Sequence, residues 1–570
     1  MDSIKKIEYW LSSTAVDEAT KEELKGLLDK PEQIEERFYK DLEFGTAGLR
    51  GILGAGTNRM NIYTVRQATQ GLANYICARG EEAKSRGVVI SYDSRHFSYE
   101  FAHESACVLA ASGIKSYVFD ILHPVPVLSF AVRYLNCYNG IMITASHNPA
   151  KYNGYKVYGE DGAQLNVADS AEVLDYISNM DIFKDVRIMD LDEAKAKGLV
   201  NIIGKNVRDA YTEEVLKCRK NPDVSADTAK EIKIVYTPFH GSGLVPVKEV
   251  LEKAGYKNVY VVAEQAEPNP DFITVKSPNP EDKEGFYLAI EQGERIGADV
   301  ILGTDPDADR LGVLVKNADG SYDVLTGNQT GLLLLDYILA NTDIKDGDFV
   351  VKSIVSTDLT KKIAASYNVA LYDVYTGFKF IAEQMRLHDG IDGRFLFGFE
   401  ESYGSLPGSY ARDKDAVAAT LLICELVAVL KREGKTLTDA VDGLYKKYGY
   451  IADRVVSLTM EGIDGMQKIK AIMDKVEKNP FKAIGNTKLS AFRNYNRDER
   501  LDYESGKVEK IGFEPQNVMY FEIEGGGYVV VRPSGTEPKI KFYYSVPCES
   551  LEAGNEKIDE LDAEVKKILL

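Results

Sequence analysis

The chain has 570 residues and a formal net charge of −19. This length exceeds what one hydrophobic core supports, so three or four domains are expected. The acidic excess argues against binding to nucleic acids or anionic membranes, because both need clustered cations. The longest apolar run, at 416–424, is too short to span a bilayer. Six scattered cysteines without metal or disulfide spacing favour a reduced, cytoplasmic location.

Three segments repeat a pattern of strand, polar turn, amphipathic helix and strand. Their first strands lie at 88–92, 232–236 and 349–355. In each repeat the helix carries its apolar residues on one face. Strands that alternate with helices of this length indicate βαβ units and largely parallel sheets. The sequence therefore predicts three tandem, related α/β domains.

Each repeat also supplies a later apolar strand that leads into an unusual polar loop. Ligands of open α/β sheets bind at the carboxyl ends of strands. The three loops are therefore expected to converge on one cleft. The strands and their loops are 140–143 with Ser146, 300–303 with Asp305–Arg310, and 395–398 with Glu400–Gly404.

Ser146 follows its strand in the sequence Thr-Ala-Ser-His-Asn-Pro, at 144–149. The Asn-Pro pair holds the loop in a stiff turn, which suits a nucleophile on a rigid scaffold. An ordinary turn, in which the serine and asparagine bond to the backbone, is the alternative. The Gly-x-Ser-x-Gly elbow of a hydrolase is missing.

Asp305, Asp307 and Asp309 alternate, so an extended loop would point all three carboxylates the same way. Three such anions need a cation, and a hard ion such as Mg²⁺ fits them. An EF-hand is disfavoured, because Arg310 and Lys316 stand where its Gly and Glu belong. A solvated acidic turn remains open, as does a dehalogenase-like D-x-D site with an aspartate nucleophile.

The chain from about residue 451 predicts an α+β domain. Its loop at 532–538 combines an arginine with small and hydroxyl residues, a composition suited to a phosphate. In the third loop, Glu400, Glu401 and Ser402 offer acceptors for sugar hydroxyls, although paired glutamates alone are a weak signal.

With these loops in this order, the chain resembles the α-D-phosphohexomutase superfamily, in its phosphoglucomutase/phosphomannomutase branch. The resemblance extends from about Leu42 to Lys541, and all five stretches in order are highly specific. The stretches are 44–51, 144–149, 305–310, 398–404 and 532–538.

The resemblance implies three tandem α/β/α domains with mainly parallel or mixed sheets, plus a C-terminal α+β domain, around a central cleft. Residues 1–208 would carry the phosphoserine loop and residues 209–324 the metal-binding loop. Residues 325–450 would carry the sugar-binding loop and residues 451–570 the phosphate-binding loop.

The resemblance also implies roles for individual residues. Ser146 would be the phosphoserine, and would bind one Mg²⁺ together with Asp305, Asp307 and Asp309. Lys156 would be a candidate proton shuttle. Some relatives have a histidine soon after the sugar loop, where this chain has Gly404-Ser405. The other implied active-site residues are Arg50 and Arg310, with Glu400, Ser402, Lys379, Arg532, Ser534, Gly535 and Thr536 as substrate contacts.

The implied activity is that of an isomerase that interconverts glucose 1-phosphate and glucose 6-phosphate, through a phosphoserine and glucose 1,6-bisphosphate. Mutases of mannose or pentose phosphates, and synthesis of the bisphosphate itself, are alternatives within this class. A metal-dependent sugar-phosphate phosphatase and a silent binding protein are alternatives from other classes. The expected partners are small sugar phosphates, for a monomer or homodimer.

Overall fold

A computed structural model describes residues 3–43, 48–223, 228–460, 462–534 and 539–570. The chain divides into two compact units. The larger unit holds Met1–Lys352 and Gly377–Thr438, and the smaller unit holds Ser353–Thr376 and Asp439–Leu570. No helix among the described residues is both long enough and apolar enough to cross a membrane.

Most strands of the repeats form where the apolar runs predict them. In chain order the first strands are β1 Gly48–Ile52, β2 Val88–Tyr92, β3 Ser116–Phe119, β4 Asn139–Ile143, β5 Tyr152–Tyr158, β6 Val200–Ile203, β7 Lys233–Thr237, β8 Asn258–Val261, β9 Val300–Thr304, β10 Leu311–Lys316, β11 Tyr322–Val324, β12 Phe349–Ser353, β13 Ala370–Val374, β14 Phe395–Phe399 and β15 Ser405–Pro407. Strands β2, β4, β9, β12 and β14 are buried along their whole length. Burial on both faces explains why they read as continuous apolar runs.

The larger unit contains mixed sheets, as the fold expectation allowed. The first sheet has the order β1-β5-β4-β2-β3-β6 and the second has the order β11-β10-β9-β7-β8. In the third, β12 and β15 both pair with β14. The βαβ strands are parallel, but β5, β10 and β15 return antiparallel to β4, β9 and β14. Each predicted site loop therefore connects a central strand to an antiparallel return strand.

Helices cover these sheets and separate them along the chain. The helix at Ser98–Ala111 supplies core residues Phe101, Ala102 and Leu109 beneath the first sheet. The described α-helices up to residue 448 are Ser3–Ser12, Glu18–Lys25, Pro31–Phe38, Ile62–Ala78, Glu81–Arg86, Ser98–Ala111, Val125–Tyr134, Val167–Ser178, Leu191–Ala196, Lys205–Lys217, Leu244–Lys253, Ala263–Ala266, Tyr287–Ile296, Gly327–Ala340, Leu359–Ser366, Phe378–His388, Ala416–Arg432 and Leu437–Tyr448, and a 3₁₀ helix spans Lys283–Phe286.

The helix at Lys205–Lys217 fastens parts of the larger unit that are distant in sequence. Its Arg208 forms an ion pair with Glu249 of the second repeat, with Nε 2.9 Å from Oε2. Its Tyr211 donates a hydrogen bond of 2.8 Å to Asp415, just before the helix at Ala416–Arg432. One helix thus connects side chains from the second and third repeats.

The smaller unit contains an antiparallel sheet ordered β16-β23-β22-β21-β18-β19-β20, with β17 paired to β18. Helices at Gly462–Lys478 and Leu551–Leu569 contribute Val476, Ile558 and Leu561 to the core beneath it. This arrangement confirms the predicted α+β domain. The strands are β16 Tyr450–Thr459, β17 Ala483–Ile484, β18 Thr487–Asn494, β19 Glu499–Asp502, β20 Val508–Lys510, β21 Met519–Ile523, β22 Tyr528–Pro533 and β23 Lys539–Cys548.

Candidate active site

Ser146 lies between β4 and β5 in a strained backbone conformation, with φ of 53°. Its amide donates to Thr144 Oγ1 over 2.9 Å. Its hydroxyl donates to Asp305 Oδ2 over 2.8 Å, and His147 Nδ1 lies 3.2 Å from the same oxygen. Positive φ in a residue other than glycine persists where the surroundings impose it, which is typical of functional sites. The serine thus contacts a carboxylate of the second loop.

Arg95, which follows β2, fixes the Ser146 loop from beneath. Its guanidinium donates to four backbone carbonyls of the loop region, including those of Ser146 and Asn148 at 2.5 Å each. Arg95 is itself paired with Asp93 at 3.2 Å, and both side chains are fully buried. Asp93 also accepts a hydrogen bond of 2.7 Å from Thr144. The first βαβ turn therefore positions the serine.

The structure brings Asp305, Asp307 and Asp309 together, with one carboxylate oxygen of each within 4.8 Å of the others. All three are buried. The expectation of an extended loop is wrong, because Asp305 Oδ1 accepts the amides of Asp309 and Arg310 at 3.1 Å and closes a turn. Ala308, with φ of 48°, makes that turn possible. We call these three aspartates the Asp cluster.

Two lysines partly balance the Asp cluster. Lys156 Nζ lies 3.0 Å from Asp307 Oδ2, and Lys414 Nζ lies 3.3 Å from Asp309 Oδ2. Burial raises the pKa of Asp307, but Lys156, Asp305 and Lys414 together outweigh this effect and bring the pKa below its usual range. Burial lowers the pKa of Lys414, but Asp309 and Asp413 outweigh it and raise the pKa. Lys414 was not identified from the sequence.

The Asp cluster fits a divalent cation. Burial and the adjacent charges of Asp307 and Asp309 hold the pKa of Asp305 well above its usual range. Oδ1 of Asp307 and Oδ1 of Asp309 are buried and accept no hydrogen bond from the described residues. Buried polar atoms are normally satisfied, and carboxylate oxygens are the ligands that Mg²⁺ prefers. A hard cation would satisfy these oxygens and relieve the repulsion.

The third loop adjoins the second. The amide of Leu311 donates to the carbonyl of Tyr403 over 3.1 Å, and Arg310 forms a β-bridge with Gly404. Tyr403 has φ of 70°, so each of the three loops contains a strained residue other than glycine. The structure therefore brings the first three predicted loops together in the larger unit, as the strand-end argument predicts.

The predicted sugar contacts lie in and beside the third loop. Glu400 is buried, and its Oε1 accepts the amide of Gly377 at 2.7 Å. Ser402 is half-buried in the same loop. Lys379 is half-buried in the helix that begins directly after Gly377, and burial lowers the pKa of its ammonium. Its Nζ lies 4.9 Å from the centre of the Phe380 ring.

The two predicted arginines of the larger unit lie at the first and second loops. Arg50 is on β1 and donates to Asn148 Oδ1 over 3.0 Å, two residues beyond Ser146. Arg310 follows Asp309, and its Nη1 donates to Glu281 over 3.1 Å. Residues 44–47 of the first matching stretch lie outside the described residues.

The smaller unit holds the fourth predicted loop. Arg532 lies near the end of β22 and pairs in register with Lys541 of β23. Its Nη1 donates to the Tyr543 hydroxyl over 3.4 Å. Ser534 follows the strand and donates its amide to the Lys539 carbonyl over 2.8 Å. Gly535 and Thr536 lie outside the described residues.

Three family models match the chain, in the order of its repeats. They describe phosphoglucomutase/phosphomannomutase alpha/beta/alpha domains I, II and III, and they match residues 41–182, 209–320 and 326–448. A phosphoglucomutase of Staphylococcus haemolyticus (strain JCSC1435) is 39% identical over 524 residues, which cover 92% of this chain and 94% of that protein.

Two solved structures are similar to the fold of this chain. The open form of pp63/parafusin, a phosphoglucomutase from Paramecium, aligns with a TM-score of 0.68 at 17% identity and covers 93% of this chain and 96% of its own. A phosphoglucomutase/phosphomannomutase family protein from Burkholderia thailandensis aligns with a TM-score of 0.63 at 18% identity. That alignment covers 92% of this chain and 97% of the other.

Proposed function

Because this chain belongs to the phosphoglucomutase/phosphomannomutase family, we propose that it interconverts α-D-glucose 1-phosphate and glucose 6-phosphate. Relatives that match nearly its whole length carry the name phosphoglucomutase. The observation that carries the mechanism is the Ser146 hydroxyl, 2.8 Å from Asp305 within a buried carboxylate cluster. A phosphorylated Ser146 would pass its phosphoryl group to the substrate and regain it from glucose 1,6-bisphosphate, the intermediate and activator.

Ser146 has two acceptors for its proton. Asp305 Oδ2 lies 2.8 Å from the hydroxyl, and His147 Nδ1 lies 3.2 Å away. When Ser146 Oγ takes a phosphoryl group from the bisphosphate, its proton moves to His147 Nδ1, because Asp305 is proposed as a metal ligand and a metal-bound carboxylate is a poor base. The histidine accepts the proton in the tautomer that leaves Nδ1 unprotonated. The same group returns the proton when the serine oxygen later releases the phosphoryl group.

One Mg²⁺ per chain is proposed at Asp305, Asp307 and Asp309, together with an oxygen of Ser146. When bound, it supplies positive charge that neutralises phosphoryl oxygens. Around it, Lys156 and Lys414 hold the carboxylates of Asp307 and Asp309 in fixed orientations. Charges that are fixed before the reaction stabilise a transferring phosphoryl group most effectively.

Lys156 is proposed as the proton shuttle for the sugar oxygen. Held by Asp307 at 3.0 Å, its ammonium can donate but cannot accept a proton. It therefore acts first as an acid, giving a proton to the sugar oxygen that loses its phosphoryl group to Ser146. The neutral amine then takes the proton of the next attacking sugar hydroxyl. Arg50 and Arg310 are proposed to contact the phosphoryl oxygens.

Substrate binding is proposed to involve the third and fourth loops. Glu400 and Ser402 would accept hydrogen bonds from sugar hydroxyls, and Lys379 would contact the sugar phosphate. The phosphate that does not react would bind the fourth loop, where a guanidinium can hold it by two parallel hydrogen bonds. The fourth-loop residues are Arg532, Ser534, Gly535 and Thr536.

We also propose domain boundaries, a cellular location and an oligomeric state for the protein. The domain boundaries are placed after residues 208, 324 and 450, so that each domain contributes one loop. The protein is proposed to act in the cytoplasm on small sugar phosphates, as a monomer or homodimer. Its net charge of −19 makes locally gathered cations necessary for such anionic substrates.

Phosphate on Ser146 tests this proposal. Intact mass and peptide mapping of the purified protein should find substoichiometric phosphate there, and glucose 1,6-bisphosphate should increase it. Ser146→Ala should lose the phosphate and at least about a thousandfold of the mutase activity, as is usual when a nucleophile is removed. Ser94→Ala, in the loop after β2, is the matched control and should retain both.

The result that contradicts the mechanism is phosphate on an aspartate alone, or full activity of Ser146→Ala. A coupled assay that compares kcat/KM for glucose, mannose and ribose 1-phosphates decides which of them is the substrate. A higher kcat/KM for mannose or ribose 1-phosphate would reject the glucose assignment and retain the serine mechanism.

A further inference from the structure

A cavity of about 600 Å³ opens in the larger unit at a place separate from the Asp cluster. It lies between the helices at Val125–Tyr134 and Lys205–Lys217 and the segment that follows β15. None of the active-site residues named above lines it. Its volume falls within the range of about 300–1,000 Å³ typical of sites for small molecules. We call it the Tyr134 cavity.

Positive charge predominates in the lining of the Tyr134 cavity. Two of its cations are neutralised locally. Lys217 pairs with Glu214 at 2.6 Å, and Arg394 pairs with Asp348 at 2.5 Å. The charged lining residues are Arg133, Lys217, Lys220 and Arg394, with Glu214 and Asp389. This excess of cations stands out in a chain whose net charge is −19.

Arg133 and Lys220 have no carboxylate of the described residues within 4.0 Å. Arg133 Nη1 donates to the Ser409 carbonyl over 2.5 Å, which leaves most of its donors unused. Partial desolvation lowers the pKa of both side chains. Arg133 is exposed and Lys220 is half-buried at the wall of the cavity, so both cations can reach an anion that enters it.

Aromatic side chains adjoin these cations. Phe130 and Tyr134 stack with ring centroids 5.2 Å apart, and Tyr134 is 54% exposed although it lines a cavity. Phe395 and Tyr410 also contribute to the lining. Exposed aromatic faces bind flat rings, and the neighbouring cations suit phosphate groups. The lining therefore matches a ligand that carries both a flat ring and phosphate groups.

We propose that the Tyr134 cavity binds a phosphorylated small molecule that carries a flat ring, such as a nucleoside triphosphate. Its phosphates contact Arg133 and Lys220, and its ring lies against Tyr134. The site is distinct from the proposed catalytic centre, and its occupancy does not depend on the mutase assignment.

Calorimetric titration with ATP, in chelator to exclude metal-bridged binding, tests the proposal. The wild type should bind one ATP with a submillimolar dissociation constant. The double variant Arg133→Ala/Lys220→Met should bind at least tenfold more weakly, because it loses both cations that face the phosphates. Lys217→Ala is the matched control, since that lysine lines the same cavity but is paired with Glu214, and it should change affinity less than twofold.

Competitors separate this site from the catalytic centre. Saturating glucose 1-phosphate should leave ATP binding unchanged, and inorganic phosphate should bind more weakly than ATP. Unaltered kcat and thermal midpoint in the double variant would show that it folds. The single variant Lys220→Met, which preserves the length of the stem, serves if the double variant does not fold.

Four results would overturn the proposal. The first three are no ATP binding at 5 mM, equal affinity in the wild type and the cation variants, and displacement of ATP by glucose 1-phosphate. If inorganic phosphate binds as tightly as ATP, the ring contributes nothing to binding. That result would reject the contact between the ring and Tyr134, and therefore the assignment of a nucleotide ligand.

Discussion

One lysine, Lys414, lies beside the Asp cluster and another, Lys220, lines the Tyr134 cavity, but the two lysines have different surroundings. Lys414 has carboxylate oxygens of Asp309 and Asp413 at 3.3 and 3.0 Å. Lys220 has no carboxylate of the described residues within 4.0 Å, and burial lowers its pKa. A lysine of the first kind maintains the geometry of a preformed site, whereas one of the second kind is suited to bind an incoming anion. Three changes test or sharpen this difference.

Lys414→Met should have the largest effect, on stability. It would leave Asp309 and Asp413 without their shared ammonium, and breaking a buried pair on one side costs about 3–5 kcal/mol. Lys220→Met is the matched control and should change stability by less than about 0.5 kcal/mol, because it breaks no pair among the described residues. Urea denaturation followed by circular dichroism measures both. Equal losses of stability in the two variants would contradict the difference between the two lysines.

Asp307→Asn should lower kcat by about 10²–10³ and change KM little. In the proposed mechanism the carboxylate lies where charge changes in the transition state, and one preorganised electrostatic group is typically worth that factor. Asp319→Asn, in an exposed turn, provides the control and should behave as the wild type. Initial rates at saturating Mg²⁺ give both constants. An unchanged kcat would remove the Asp cluster from the chemistry.

Arg532→Ala should have the smallest of the three effects. Among the described residues, its guanidinium contacts the Tyr543 hydroxyl at 3.4 Å, and we propose that it binds an anion, as we propose for Lys220. Loss of one charge-assisted contact, about 1.5–3 kcal/mol, should lower kcat/KM by about ten- to more than a hundredfold. KM should rise and kcat should fall.

The control for Arg532 is Arg500→Ala, because Arg500 pairs with Glu522 at 2.8 Å in the same sheet. That variant should alter stability and leave the kinetic constants unchanged. If Arg532→Ala has a lower melting temperature than the wild type but normal kcat and KM at low temperature, Arg532 has a structural role instead.

The sequence predicted the strands and the meeting of the first three loops, because fully buried strands give continuous apolar runs and site loops follow their ends. Strand β2 begins and ends at the residues that the pattern predicts. The turn at Asp305–Asp309 was not predicted, since Ala308 adopts positive φ where no glycine signals it. The sequence also could not show that the antiparallel strands β5, β10 and β15 complete the sheets.

Residues that support the site from a distance in sequence were missed. Lys414 precedes an apolar helix and has the pattern of a polar helix start, so nothing local indicates its contact with Asp309. Asp93 and Arg95 fall in a predicted polar turn, where charged residues are usually solvated. Their full burial depends on the tertiary fold. The signal that remains is the charged run Arg412–Asp415 directly before a helix that is almost wholly buried.

The helix at Lys205–Lys217 has a mechanical consequence for the proposed cycle. The bisphosphate must present first one phosphate and then the other to Ser146, so something has to rotate between the two half-reactions. The helix is fastened to Glu249 and Asp415, and backbone hydrogen bonds join the second and third loops. Because Ser146 also donates a hydrogen bond to Asp305, contacts connect all three loops, and in the proposed cycle we expect the sugar to be the part that turns.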